Sequence, residues 1–185
     1  MNVLALSRLI DRFNEAVGRS VAWLVLAAVL ISAGNAIVRK LFNTSSNAFL
    51  EIQWYLFSAV FLLAAGHTLL RREHVRIDVL SGRWSKRAQA WIDVFGLVFF
   101  LFPLVSVVIG LSWPLLTRAC LSGEMSSNAG GLIRWPVIAL LPLGFTLLGA
   151  QGLSELIKRV AFLRGWLPEP MHPAVDTASA ESGRT

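Results

Sequence analysis

The sequence predicts an all-α integral membrane protein with four transmembrane helices and both termini in the cytoplasm, and three observations carry that prediction. Apolar residues make up 55% of the 185 positions and charged residues only 15%, with a mean hydropathy of +0.62, far more apolar than a soluble domain of this size requires. The apolar residues fall into four long runs with almost no charge inside them. The lysines and arginines are distributed asymmetrically between the segments that join those runs.

The first run extends from about Val17 to Val38, with Arg19 at its mouth, and ends at Arg39 and Lys40. The second covers about Phe49 to Leu70, the third Ala90 to Leu116 and the fourth Leu132 to Ile157. Each is long enough to cross a hydrocarbon core of about 30 Å as a helix and too long for a buried strand. Pro103 and Pro114 in the third span, and Pro136 and Pro142 in the fourth, predict kinks or tilts. Once the spans are subtracted, residues 1–166 form one membrane domain with no room for a separate soluble catalytic domain. A cleavable signal is a poor reading of the first span, because the roughly twenty preceding residues include Asp11 and Glu15.

Cytoplasmic segments retain positive charge. The N-terminal lead, the segment after the second span and the C-terminal tail together hold 13 lysines and arginines, whereas the two other loops hold 4. Both ends are therefore expected inside. The tryptophans agree: Trp23, Trp91 and Trp166 fall near the cytoplasmic ends of spans and Trp54, Trp113 and Trp135 near the opposite ends, as interfacial belts require. The net charge of +6 sits beside apolar segments, so membrane lipids rather than nucleic acid are the expected counter-charge.

Leu6, Leu9, Ile10, Phe13 and Val17 recur at helical spacing, with Arg8, Asp11, Arg12 and Glu15 facing elsewhere. This suits either an interfacial amphipathic helix or a cytoplasmic extension of the first span. Residues 167–185, rich in Pro, Ala, Ser and Thr, are expected to be a disordered cytoplasmic tail. Cys120 is expected to be a small apolar filler, and as a single cysteine it excludes an intramolecular disulfide.

Polar residues within spans are functional candidates by default, and here they are Asn35, Glu51, Gln53, His67, Asp93 and Gln151. Most lie near helix ends, where a helix-to-helix or subunit-to-subunit pair is expected for Glu51 and Asp93, with a loop arginine available to neutralise Asp93. A haem or metal centre is disfavoured, because a membrane dihaem needs four axial ligands and the chain has three histidines, His67, His74 and His172. No nucleophile, metalloprotease or phosphate-loop motif argues for an enzyme. No inverted repeat marks a complete secondary transporter. Four short-looped helices with no site of their own look like one subunit of a larger assembly.

Particular runs narrow that reading. Glu51-Ile-Gln53-Trp54-Tyr55, Gly66-His67, and above all Arg72-Glu-His74-Val-Arg76-Ile-Asp78-Val-Leu80 resemble the small, DctQ-like membrane subunit of the tripartite ATP-independent periplasmic (TRAP) transporters. So do Arg134-Trp-Pro136, Pro142-Leu-Gly-Phe145 and Gln151 of the fourth span. The resemblance implies a bacterial inner-membrane protein that is neither an enzyme nor a cofactor carrier. It also implies two partners, a large permease subunit and a periplasmic solute-binding protein, which capture and import an organic anion, usually a carboxylate, with sodium or protons. On this reading Glu51, Gln53 and Trp54 belong to the subunit interface, while Arg71, Arg72, His74, Arg76 and Asp78 fix the cytoplasmic loop or contact lipid. The alternatives left open are a membrane anchor or haem-carrying subunit of an oxidoreductase, and a small independent transporter or membrane enzyme acting as an oligomer.

Overall fold

The computed structural model describes residues 3–43, 46–71 and 85–167, all of them in helices or short connections. Helix α1 runs from Val3 to Phe42 without a break, so of the two alternatives for the N-terminal lead the structure gives a continuous extension of the first span. Its 40 residues are about 60 Å long at 1.5 Å per residue, roughly twice the hydrocarbon thickness. Arg39 and Lys40 occupy its last turn, where positive charge meets the negative end of the helix dipole. Asn43 stops it at φ 54°, a left-handed conformation that asparagine tolerates better than most side chains.

Helix α2 spans Asn47–Arg71. Helix α3, Lys86–Gly96, begins at Ser85, whose hydroxyl accepts the N–H of Ala88 at 3.3 Å, an N-cap of the usual kind. A π turn over Leu97–Leu101 then leads into α4, Phe102–Ser122. The wide turn stands immediately before Pro103, whose missing N–H removes the helical bond to Phe99, and the N–H of Phe102 donates to the carbonyl of Leu97. This is the local response to the proline that the sequence marked as a kink site. Gly123, at φ 60°, closes α4. Helix α5, Trp135–Leu163, takes Pro136 in its first turn, where no N–H is needed, and runs through Pro142 unbroken.

All four spanning segments, with α3, the π turn and α4 counted as one, are long and apolar enough to cross a membrane. Among the described residues the only extended pairing is one antiparallel bridge between Met125 and Ile133. α5 is the central element. It packs against α1, α2, α3 and α4, whereas α3 and α4 lean on α5 rather than on the α1–α2 pair. The close approach of α2 and α5 depends on Gly144, because a Cβ there would stand 2.7 Å from the carbonyl oxygen of Leu62. Away from α5 the large apolar side chains point outward, with Phe61 73%, Leu111 75% and Leu121 89% exposed, as lipid or a partner requires.

Candidate functional site

Polar side chains gather at the two ends of the bundle. At the end that carries the α1–α2 and α4–α5 connections, Glu51 lies in the second turn of α2 and is 8% exposed. One carboxylate oxygen accepts the backbone N–H of Leu132 at 2.7 Å. The other accepts the Asn128 side-chain amide at 2.7 Å and the hydroxyl of Ser126. Two neighbours on the same helix add to the clasp: the Asn47 amide donates to the carbonyl of Ala129 at 3.1 Å and the Tyr55 hydroxyl to that of Ile133 at 3.1 Å. Within the α4–α5 loop, Arg134 pairs with Glu124, and the N–H of Ser126 donates to the carbonyl of Leu132 at 2.9 Å. The start of α2 thus holds residues 123–134 in one shape, with a buried carboxylate as the nucleus.

Gln53 and Trp54, named with Glu51 from the sequence, are placed differently. Trp54 is 72% exposed. Gln53 is half-buried and has no hydrogen-bond partner among the described residues. The acceptors of Glu51 are therefore engaged within the chain, while its two neighbours leave polar and aromatic groups available at the surface.

The opposite end, where α1 begins and α5 finishes, holds a larger network. Ser7, Asp11 and Asn14 of α1 face Gln151, Ser154 and Lys158 of α5. The hydroxyls of Ser7 and Ser154 are 2.7 Å apart, the Asn14 amide donates to Gln151 at 3.0 Å, and the Gln151 amide donates to Asp11 at 2.9 Å. The Ser154 hydroxyl donates to Asp11 at 2.6 Å. Lys158, 1% exposed, pairs with Asp11 at 3.1 Å and with Glu155. Arg159, 3% exposed, pairs with Glu155 and, at 3.1 Å, with Asp93 of α3. The ionic chain Asp11–Lys158–Glu155–Arg159–Asp93 thereby connects α1, α5 and α3. Burying these charges is tolerable because each has an opposite charge beside it.

A second cluster ties α1 to α2. Glu15 pairs with Arg71 at 2.5 Å and lies 3.5 Å from Nδ1 of His67. The imidazole rests on Gly18, where a methyl group would collide with it. Arg71, expected to secure the following loop or to contact lipid, is therefore fixed to α1. Arg72, His74, Arg76 and Asp78 lie outside the described residues, as do residues 168–185.

Two readings of individual residues change. Lys158 and Arg159, counted in the sequence with a basic tail, are among the most buried side chains. For Asp93 the expected helix-to-helix pair is present, with Arg159 of α5. Cys120 is exposed rather than a packed filler. The sequence reading also missed Ser7, Asp11, Asn14 and Glu15 as partners of α5 and α2. A signal was present: Ser7, Asn14, Val21 and Ala28, the buried residues of α1, recur every seven positions, as do Gly144, Gln151 and Lys158 of α5, which is the spacing of a helix–helix seam.

Residues 28–162 match the family model described as "Tripartite ATP-independent periplasmic transporters, DctQ component". The chain belongs to this family. The match takes in the second, third and fourth spans, the α4–α5 loop with its Glu51 clasp, and the α5 half of the buried network, while Ser7, Asp11, Asn14 and Glu15 precede it. As a DctQ component the chain is the small subunit of a TRAP transporter and a multi-pass membrane protein. Members of the family are transporter components rather than enzymes and work with a large permease and a binding protein. No individual curated protein and no solved structure matches it.

Proposed function

We propose that this DctQ component is a scaffold: it braces the large permease subunit in the bacterial inner membrane and presents, with it, a periplasmic docking surface for the solute-binding protein. Both termini lie in the cytoplasm, following the distribution of lysine and arginine. The assembly imports an organic anion, a carboxylate in this reading, by ion-gradient-driven symport, with substrate and ion sites in the partners. The observation that carries the proposal is the internal satisfaction of the charges packed between the helices at the two ends of the bundle. Glu51, Asp93, Glu155, Lys158 and Arg159 are all engaged in fixing helices or loops to one another. Such a network supports a rigid element more readily than a pathway whose groups must exchange a bound ion.

Trp54, exposed beside the clasped loop, is the side chain best suited to a partner subunit at that end, with Gln53 next to it. Trp54→Ala should weaken capture of the large permease in mild detergent by roughly thirtyfold, the effect of losing an aromatic anchor worth about 2 kcal/mol, while the chain still inserts. Glu51→Ala should weaken capture through the loosened loop. Unaltered capture and unaltered uptake in both variants would remove this end of the chain from the interface.

A further inference from the structure

Beyond the internally paired network, the α1-start and α5-finish end of the bundle carries a groove of about 260 Å³ between the two helices. Val3, Leu4, Leu156 and Val160 make its walls, and Trp166 and Arg164 close one side. The Arg164 guanidinium lies over the Trp166 ring, 5.6 Å from its centroid. The charges of the helices that meet at this end of the bundle are sorted by sign. Asp11, Glu15, Asp93 and Glu155 turn inward and are paired. Arg8, Arg12, Arg19, Arg87 and Arg164 are exposed, and none makes an ion pair among the described residues. Arg8 follows Leu4 by one helical turn, which sets a second unpaired guanidinium along the same helix as the groove wall.

We propose that this groove seats one anionic phospholipid, its acyl chain against Leu4, Leu156 and Val160 and its phosphate at Arg164, with Arg8 contributing to the same headgroup field. An apolar trough lined on its polar side by Arg164 and Trp166 complements an amphiphile with a negative head. A zwitterionic lipid offers the same chain without the net charge, and an acidic protein segment offers the charge without the chain. Interfacial lysines and arginines near an anionic surface each strengthen binding by about fivefold. The proposal rests on membrane insertion and not on pairing with a permease, so it stands or falls separately from the scaffold reading, whose failure would show in co-purification.

Trp166 supplies the readout, because bromine on an acyl chain quenches tryptophan at contact. The full-length chain is reconstituted in phosphatidylcholine vesicles containing a minor fraction of either brominated phosphatidylglycerol or brominated phosphatidylcholine, and the Trp166→Phe variant isolates the Trp166 share of the emission. The phosphatidylglycerol is expected to quench that share severalfold more strongly at equal fraction, and Arg8→Gln with Arg164→Gln to lower the preference by about fivefold per arginine. Millimolar inorganic phosphate should leave the quenching unaltered. Equal quenching by the two lipids would overturn the proposal and leave the groove to a protein partner. A preference untouched by the double substitution would overturn it too, and displacement by phosphate would reduce the site to an ion site. Should the double variant lose helical content, the two-lipid comparison on the unsubstituted chain decides alone.

Discussion

Lys158 is a cation almost wholly removed from solvent, and its tolerance depends on Asp11 and Glu155 standing on either side of it. Exposure falls from the rim of the network inward: the side chains of Asp11 and Asp93 are 20% and 26% exposed, whereas those of Lys158, Glu155 and Arg159 are 2–4% exposed. Desolvation is therefore most costly at the centre, where the loss of Lys158 leaves Asp11 without a cation and two buried or part-buried carboxylates, Glu155 and Asp93, sharing Arg159. Lys158→Met, which preserves length and removes charge, should destabilise the bundle by about 3–5 kcal/mol, read as a lowered unfolding midpoint in detergent. Asp11→Asn should cost less, because the amide oxygen still accepts from Ser154 and Gln151 and Lys158 retains Glu155. Equal loss in the two variants would show that the pairing at the centre is not what holds α1 to α5. None of this was legible from charge counting, which treats a lysine beside a span as an anchor whether it faces headgroups or a neighbouring helix.

Among the elements, the α4–α5 loop shows how a connection without helix or strand acquires a fixed shape. Residues 123–134 surround the Glu51 carboxylate, which accepts from one backbone N–H, one amide and one hydroxyl. Glu51→Ala should accelerate amide exchange across 123–134 by about tenfold or more, the effect of losing roughly 1.5–3 kcal/mol of charged hydrogen bonding, while exchange in the middle of α5 remains slow. Uniform acceleration throughout the chain would instead make Glu51 a support of the whole bundle. The sequence singled out Glu51 as an unusual carboxylate at a span end, yet its partners stand 75 to 81 positions away. Periodicity and composition carry no information at that separation. The spans themselves were legible because each is a local property: a run of apolar residues declares its length and nothing else about its neighbours.

Among the described residues α5 is shared by two groups of helices, α1 and α2, which also pack on each other, and α3 and α4, which pack on it alone. Helix number and approximate span ends follow from hydropathy, but the central position of α5 does not, since its hydropathy is close to that of α2. What distinguishes α5 is its set of buried small and polar residues, Gly144, Gln151, Gly152 and Ser154 among them, which let neighbours approach on several faces. The bundle is directional, and Cys120 offers a test of the orientation proposed for it. This cysteine is exposed, near the end of α4 that leads into the clasped loop. A membrane-impermeant maleimide should label it from the periplasmic side in intact spheroplasts, without permeabilisation. Labelling that requires lysis would invert the proposed topology.

The π turn at Leu97–Leu101 determines more than the passage of the chain past Pro103. A wide turn accommodates one residue more than an α turn, so everything before it is rotated about the helix axis by about 100° relative to an uninterrupted helix. Asp93 lies one turn upstream of that adjustment and reaches Arg159 from its present azimuth. A backbone irregularity in the middle of a span thus acts as the phase setting of an ion pair near its end, coupling the register of one helix to the charge balance of another.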